Sequence, residues 1–483
     1  MAARDLRYAV IGAGMAGILT AVKLQDAGID EFTVYEKADR VGGTWRENTY
    51  PGLSCDVPSH LYCYSFALNP GWSHVLSPGP EILAYFESVA ERYGVAAHTR
   101  FSDEVVSCEF DDGRWHLTTA SGHRDTVDVV IAATGVLHHP RYPDIEGLDS
   151  FGGAMFHSAR WDHSVPTAGR RVGVIGTGST AVQIVTAVTE EASHLSMFQR
   201  TAQWIMPAPN PAYTDEELSG FREPGALEKF HAELSDMFDL FSTAVVDVTS
   251  PMFAFIESAC LRNLEDNVAD PDLRERLRPS YRAACKRLIV SEGFYEAIQR
   301  PNAELVTDHI ERIEPGGVRT ADGRLHELDV LVLATGFQVD AFVRPIRVRG
   351  RGGIELDDVW AKRPEAYLAI SVPEFPNFFM LNGPNGPVGN FSLIEVAELQ
   401  LGYIMQLVDR LGPGGRRQVC ATADALAAFE SARIEASKNT VWATGCDSWY
   451  LDDRGIPAAW PWPFKKFREE MAAPDWGAYE LVD

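Results

Sequence analysis

The sequence has no excess of positive charge: its 483 residues include 43 Lys and Arg against 68 Asp and Glu, a formal net charge of −25 at pH 7. Nucleic-acid binding and attachment to an anionic membrane both depend on clustered Lys and Arg, so the composition disfavours both partners. Any site for a polyanionic ligand must therefore be built locally, from backbone amides and a few basic side chains. The hydrophobic content of 46% is ample for the cores of two or three domains.

The chain has no closely spaced cysteine pairs, and we expect no signal peptide at its N-terminus. None of its seven cysteines forms a CxxC pair, and the odd count is typical of reduced thiols in a cytoplasmic protein. The apolar stretch from Tyr8 to Val22 contains three glycines and is too short to span a bilayer. No HExxH or GxSxG motif is present, and the pair His138 and His139 has no partners at metal-ligand spacing. We expect a cytoplasmic enzyme without a metal, as a monomer or a homodimer.

A dinucleotide-binding fingerprint opens the chain. The apolar run from Tyr8 to Ile11 predicts a buried parallel strand, and Gly12, Gly14 and Gly17 then supply GxGxxG at the start of a predicted helix. These glycines permit a tight turn, close approach of a pyrophosphate and close packing of helix on strand. A second strand ends in Glu36, whose carboxylate can accept hydrogen bonds from ribose hydroxyls.

The same arrangement recurs in the middle of the chain. The strand from Val172 to Ile175 precedes GTGSTA, in which Gly176, Gly178 and Ser179 are expected to contact a second nucleotide. The residue that follows the next strand differs between the two fingerprints. Glu36 lies 24 positions after the first glycine of its fingerprint, and Arg200 lies 24 positions after Gly176. An acid repels a 2′-phosphate whereas Arg can pair with it, so the first site is predicted to bind FAD and the second NADPH.

Two segments that contain Ala-Thr-Gly after an apolar run, 128–135 and 329–337, indicate strands that return to these sheets. They predict an α/β fold with two Rossmann-like dinucleotide-binding domains, the NADPH domain inserted in a discontinuous FAD domain. We expect the FAD-binding domain over 1–142 and 328–483, the NADPH-binding domain over 151–213 and 285–327, and a helical insert over 214–284. In the insert Thr214 and Glu217 form a candidate capping box, followed by one apolar helix face made of Phe230, Leu234, Met237, Phe238 and Phe241.

Two motifs separate the possible chemistries of a two-nucleotide flavoprotein. A disulfide reductase needs a dithiol relay beside the flavin, and Cys55 and Cys63 lack the usual spacing. The segments 42–56, GGTWRENTYPGLSCD, and 151–162, FGGAMFHSARWD, match GGxWxxxxYPGxxxD and FxGxxxHxxxW followed by Asp. Both resemble the signatures of type I Baeyer–Villiger monooxygenases. The resemblance covers nearly the whole chain, including CKR at 285–287 and WATGCDSWY at 442–450.

The resemblance implies a reaction and a set of site residues. NADPH would reduce FAD, O₂ would add at the flavin C4a position, and the peroxyflavin would attack a ketone to give a tetrahedral adduct that rearranges to an ester or lactone. Such charge development requires a fixed cation in a dry site. By resemblance the cation is Arg287 and Asp56 is the acid that orients it. The remaining residues implied by the resemblance bind the cofactors (Gly43 and Trp45), hold the NADPH 2′-phosphate (Arg200, Thr201 and Lys286) or couple the two domains (His157 and Trp161).

The loop at 382–398, NGPNGPVGNFSLIEVAE, departs from the family. It keeps the Gly-Pro opening of a flavin-contacting loop but lacks the Ser-Asn-Met run of the better-known cyclic-ketone enzymes. The sequence therefore does not identify the ketone substrate. Two other functions stay open as well. One is N- or S-oxygenation of amines or thioethers by the related flavin-containing monooxygenases. The other is a nucleotide-sensing protein that binds FAD and NADPH without turnover.

Overall fold

The computed structural model describes residues 5–389, 391–412 and 418–482. Residues 1–4, Asn390, residues 413–417 and Asp483, which belong to the expected FAD-binding domain, lie outside the described residues. Two five-stranded parallel sheets organise the chain. The first sheet has the spatial order Phe378–Met380, Val129–Ala132, Tyr8–Ile11, Phe32–Tyr35, Thr99–Arg100. The second sheet has the order Ala303–Val306, His194–Phe198, Arg171–Ile175, Val330–Leu333, Ala154–His157.

Each sheet forms around an apolar strand that is buried on both faces, as a central parallel strand must be. Tyr8–Ile11 is fully buried in the first sheet, and four of the five residues of Arg171–Ile175 are buried in the second. The predicted α/β fold with two Rossmann-like units is confirmed. The expected boundary at residue 328 is wrong by one strand, because Val330–Leu333 pairs with Arg171–Ile175 in the second sheet. Its apolar side chains complete that core before the chain returns to the first sheet at Phe378–Met380.

Smaller sheets flank these two units. A four-stranded sheet consists of the antiparallel strands Val105–Asp111, Arg114–Thr119 and Arg124–Val127, with Arg347–Arg349 paired to the first of them. A three-stranded antiparallel sheet consists of Ile310–Glu314, Gly317–Thr320 and Leu325–Glu327. Two two-stranded sheets pair Ile205–Met206 with Ile289–Val290 and Gln418–Ala421 with Tyr479–Val482. The α-helices are Met15–Asp26, Thr44–Glu47, Gly79–Arg92, Ser179–Val188, Asp215–Gly220, Ala226–Val246, Pro251–Asn267, Pro271–Arg276, Phe294–Ile298, Leu356–Val359, Leu393–Val408, Ala423–Ser437 and Phe464–Ala472.

The expected helical insert begins as predicted. The Thr214 side chain accepts from the backbone N–H of Glu217, and the Glu217 carboxylate accepts from the backbone N–H of Thr214, which is a complete capping box. The prediction that Met237 belongs to the apolar face of helix Ala226–Val246 is wrong, because this residue is 53% exposed. Leu234 and Phe238 instead pack toward the core around the first sheet. The apolar face that this helix presents to the core is therefore narrower than the face that the helical spacing predicts.

The described residues contain no single helix that is long and apolar enough to cross a membrane. The consecutive helices Ala226–Val246 and Pro251–Asn267 meet that test only as a pair, by length and composition, and they are bent by 89°.

A disulfide joins Cys285 to Cys446, across 161 residues of sequence and with a Cα–Cα distance of 6.2 Å. The expectation of seven reduced thiols is therefore wrong for this pair, because folding brings together two cysteines that spacing does not relate. The other five cysteines are free and buried. The odd cysteine count no longer supports a reducing compartment.

We expect Cys446→Ser to lower the free energy of unfolding by about 2–4 kcal/mol, since the crosslink closes a long loop in the unfolded chain. Differential scanning fluorimetry with and without dithiothreitol checks this. The reductant should lower the Tm of the wild-type protein toward that of the variant and leave the variant unchanged. Equal Tm values for the wild-type protein and the variant without dithiothreitol would contradict the prediction.

Candidate active site

The first nucleotide site is built by three glycines between strand Tyr8–Ile11 and helix Met15–Asp26. Gly12 has a φ of +103°, and a Cβ there would lie 2.6 Å from the carbonyl oxygen of Ala133 in the neighbouring strand turn. A Cβ at Gly17 would overlap the carbonyl oxygen of Gly12. Helix and strand can therefore pack this closely only with glycine at both positions, as the fingerprint requires.

We expect Gly17→Ala to lose FAD during purification, because the added methyl group must push the helix away from the strand. The ratio of flavin to protein absorbance measures this. Gly402→Ala is the matched control, since Gly402 is exposed within helix Leu393–Val408 and a Cβ there meets nothing within 4 Å. The control should retain full flavin content. A fully loaded Gly17→Ala protein would refute this account of the fingerprint.

Glu36 follows the second strand of the first sheet and is 4% exposed. Its carboxylate accepts hydrogen bonds from the backbone N–H groups of Ala13, at 2.8 Å, and Ala38, at 2.9 Å. The guanidinium of Arg46 lies 3.3 Å from the same carboxylate. The acid is thus fixed against the glycine turn, where ribose hydroxyls would reach it. Arg46 lies inside the motif at 42–56, but its residue type and spacing did not predict a contact with Glu36.

Gly43 and Trp45 continue the first site. Gly43 has a φ of +53° and lies against Gly14, to whose Cα a Cβ at residue 43 would approach within 2.9 Å. The Trp45 indole donates to the hydroxyl of Tyr62 at 3.1 Å. This close approach of two glycines leaves backbone, rather than side chains, facing the space that a flavin dinucleotide would need.

The second nucleotide site repeats the geometry. Gly176 has a φ of +132°, and a Cβ there would overlap the carbonyl oxygen of Ala334. A Cβ at Gly178 would meet nothing within 4 Å, so this glycine faces open space at the start of helix Ser179–Val188. Ser179 is the first residue of that helix, whose N-terminal N–H groups favour a phosphate.

Two cations flank this second site. Arg200 is exposed at the end of strand His194–Phe198, followed by Thr201, whose carbonyl accepts from the hydroxyl of Thr177 at 3.0 Å. The pKa of Lys286 is lowered by burial and further by the positive charge of Arg200, while Asp447 opposes the change. Two basic side chains close enough to repel one another suit a ligand carrying a phosphate. The residues present therefore fit NADPH.

The Asp56 carboxylate and the Arg287 guanidinium form a bidentate pair across 231 residues of sequence. The Arg287 Nε and Nη2 atoms each donate to a different carboxylate oxygen of Asp56 at 2.8 Å, and Nη1 donates to the carbonyl of Gly389 at 3.0 Å. Burial alone would lower the pKa of Arg287, but Asp56 outweighs it and holds that pKa above its ordinary value. The guanidinium is a permanent, oriented cation, and 33% of its side chain remains accessible.

His157 ends strand Ala154–His157 and is 1% exposed. Its Nδ1 accepts from the backbone N–H of Ala159, and its Nε2 lies 3.0 Å from the carbonyl of Gly336, so Nε2 carries the proton. Burial lowers the pKa of this imidazole. Trp161 packs edge-on against Phe156, not against His157. Residues 158–160, between these two side chains, form a 3₁₀ turn.

The segment after His157 contacts the first unit. Arg160 forms an ion pair with Glu47 at 3.1 Å, and the His163 imidazole lies 2.8 Å from the Thr49 hydroxyl. These contacts join the two nucleotide units beside the motif. The coupling role assigned to His157 and Trp161 stays a prediction.

A cleft of about 1880 Å³ runs between the two units. Among the sequence-predicted residues it is lined by Gly12, Gly14, Glu36, Gly43, Trp45, Asp56, Gly176, Gly178, Ser179, Arg200, Thr201, Lys286 and Arg287. Gly17, His157 and Trp161 are not among its lining residues. Both nucleotide sites and the cation thus open into one space. The 382–398 loop borders it as expected, through residues that include Asn382, Asn385, Val388 and Gly389.

Comparison with known proteins agrees with this geometry. The family model for pyridine nucleotide-disulphide oxidoreductases matches residues 9–218, which contain both glycine fingerprints. An uncharacterized monooxygenase of Mycobacterium tuberculosis is 50% identical, over 98% of this chain and 95% of its own. A Baeyer–Villiger monooxygenase of Streptomyces coelicolor is 39% identical, over 99% of this chain and 93% of its own. The chain belongs to the Baeyer–Villiger monooxygenase family.

Solved structures of other proteins share this fold. The crystal structure of OTEMO in complex with FAD and NADP superimposes with a TM-score of 0.88 and 27% identity, over 99% of this chain and all of the other. Cys55 and Cys63 do not form the dithiol relay that a disulfide reductase needs. Cys55 and Cys63 are free, and burial raises the pKa of Cys63 to about 12, so its thiol stays protonated.

Proposed function

We propose that this protein is an NADPH- and O₂-dependent flavin monooxygenase that converts a ketone to an ester or lactone. The observation that carries the proposal is the Asp56–Arg287 pair, which opens into the cleft shared by both nucleotide sites. In the overall reaction a ketone, O₂, NADPH and a proton give an ester, NADP⁺ and water. One oxygen atom of O₂ enters the ester and the other leaves as water.

FAD, when bound, accepts the hydride and activates O₂. The chain's own residues supply the rest. Gly12, Gly14 and Glu36 hold the FAD dinucleotide, while Arg200, Thr201 and Lys286 hold the 2′-phosphate that distinguishes NADPH from NADH. Arg287 stabilises the negative charge that develops on the ketone oxygen. A cation preoriented in a partly desolvated cleft does this without reorganisation at the moment of reaction.

Asp56 keeps the guanidinium in place by accepting two of its N–H donors. One carboxylate that takes two parallel hydrogen bonds fixes the plane of the guanidinium as well as its position. N- or S-oxygenation, by contrast, transfers an electrophilic oxygen and develops no oxyanion on the substrate. A nucleotide-sensing protein would need no such pair at all. The geometry therefore favours ketone oxygenation.

The test is product analysis under ¹⁸O₂. The purified holoenzyme is incubated with NADPH and a panel of linear and cyclic ketones, and in parallel with thioethers and amines. We expect esters or lactones that carry one ¹⁸O atom. Sulfoxides or N-oxides without any ester from the panel would instead support the alternative oxygenase. A flavin-loaded protein that oxidises NADPH only at a slow basal rate would support nucleotide sensing.

A further inference from the structure

Tyr450 presents a buried hydroxyl that the mechanism above leaves unused. The residue is 2% exposed, and its side chain lines the cleft. Within the described residues no acceptor takes its O–H, and the Arg287 guanidinium that contacts the hydroxyl oxygen can only donate. A buried O–H without an acceptor is costly and rare in folded proteins. A group left unsatisfied at the wall of a ligand cleft is available to the ligand.

The hydroxyl lies beside the Arg287 guanidinium. Gly389, whose carbonyl accepts from Arg287, has a φ of +91°, and a Cβ there would overlap the phenolic oxygen. Glycine at this position thus lets the phenol approach the same peptide that holds the guanidinium. Burial raises the pKa of Tyr450, and the positive charge of Arg287 opposes that rise. A positive charge next to a phenol makes its O–H a stronger hydrogen-bond donor.

The Tyr450 ring is held on several sides. It packs against Trp442 and Trp449, with centroid distances of 5.4 and 4.0 Å, and its carbonyl accepts from the N–H of Ala458 at 2.7 Å. The disulfide ties Cys446, four residues before Tyr450, to Cys285, two residues before Arg287. The two side chains are therefore carried by segments with a covalent link, which keeps their relative position fixed.

We propose that the Tyr450 hydroxyl is a second hydrogen-bond donor, beside Arg287, to the oxygen of the bound ketone. This inference rests on the proposed function, because it assigns a catalytic residue for that reaction. Guanidinium and phenol would contact the same oxygen from two directions, so the charge on it is stabilised most when that charge is largest. Preoriented donors of this kind lower the barrier without tightening the binding of the uncharged ketone.

The test is Tyr450→Phe, which removes the hydroxyl and keeps the ring. We expect kcat for ester formation to fall by about 10- to 100-fold, the effect of losing one uncharged hydrogen-bond donor. The KM for the ketone, the KM for NADPH and the rate of flavin reduction under anaerobic conditions should stay near wild type. In air the variant should release more of its reducing equivalents as hydrogen peroxide and fewer as ester.

Tyr403→Phe is the matched control, because Tyr403 is also buried, at 1% exposure, but it does not line the cleft. It should leave kcat and the yield of ester unchanged. Wild-type kcat in Tyr450→Phe would overturn the inference while leaving the proposed function intact. A wild-type enzyme that forms no ester would overturn both.

The melting temperature distinguishes a catalytic role from a structural one. Since the O–H donates to no acceptor among the described residues, Tyr450→Phe should melt close to the Tm of the wild-type protein. A variant that fails to fold, or that melts clearly earlier, would show that the hydroxyl supports the structure and would overturn the inference.

Discussion

Arg287→Ala is expected to lower kcat for ester formation by about 10²–10³-fold or more, while NADPH still reduces the bound flavin. The expected loss is large because the variant removes the permanent charge and leaves the Asp56 carboxylate unpaired in the cleft. An unpaired anion beside a developing oxyanion opposes the same step that the guanidinium assists. Anaerobic stopped-flow reduction of the flavin measures the reductive half-reaction, and steady-state ester formation measures the complete reaction.

The chain offers a matched control in Arg282. Its guanidinium also pairs with one carboxylate through two hydrogen bonds, to Glu257 at 2.7 and 3.1 Å, but 46% of its side chain is exposed and it does not line the cleft. Arg282→Ala should therefore leave ester formation unchanged. Arg287→Lys keeps the charge but loses the planar fork, so we expect partial activity. Full ester formation by Arg287→Ala would refute the role assigned to this residue.

Arg200→Ala is expected to raise the KM for NADPH by about 10- to 100-fold, the effect of one hydrogen-bonded charge pair with a phosphate. The KM for NADH should barely change, because that cofactor has no 2′-phosphate. Initial rates of flavin reduction with each cofactor give the comparison. A residual preference for NADPH should remain, since Lys286 still contributes its charge.

Arg170→Ala is the matched control for Arg200, because Arg170 is exposed, just before strand Arg171–Ile175, and does not line the cleft. It should leave both KM values unchanged. An equal rise of KM for NADPH and NADH in Arg200→Ala would mean that the arginine supports the fold of the site and does not recognise the 2′-phosphate.

The parts of the site that sequence could predict are the local ones. Each glycine fingerprint joins a strand to the helix that follows it, so spacing alone places Gly12 and Gly176 in turns of positive φ. The acid and the arginine 24 positions later follow because the next parallel strand ends at the same edge of its sheet. The pairing of Asp56 with Arg287, across 231 residues, was available only through the resemblance to a family.

The parts that sequence could not predict depend on distant packing. Val330–Leu333 is as apolar as any strand of the first sheet, so its composition does not show which sheet it joins. The Cys285–Cys446 disulfide and the position of Tyr450 beside Gly389 both require the C-terminal segment to fold back onto the CKR segment. Met237 has the right helical spacing but lies at the margin of the apolar face, which spacing does not resolve.

The Asp56–Arg287 pair determines which parts of the chain carry which part of the reaction. The glycine turn of each nucleotide site lies within one sheet and the helix that follows its first strand, whereas the two members of the pair come from segments far apart in the chain. Contact with each pyrophosphate is then a property of a single module, and oxygen insertion is a property of the junction. Loss of the junction alone would leave a protein that still binds both nucleotides and passes electrons wastefully to oxygen.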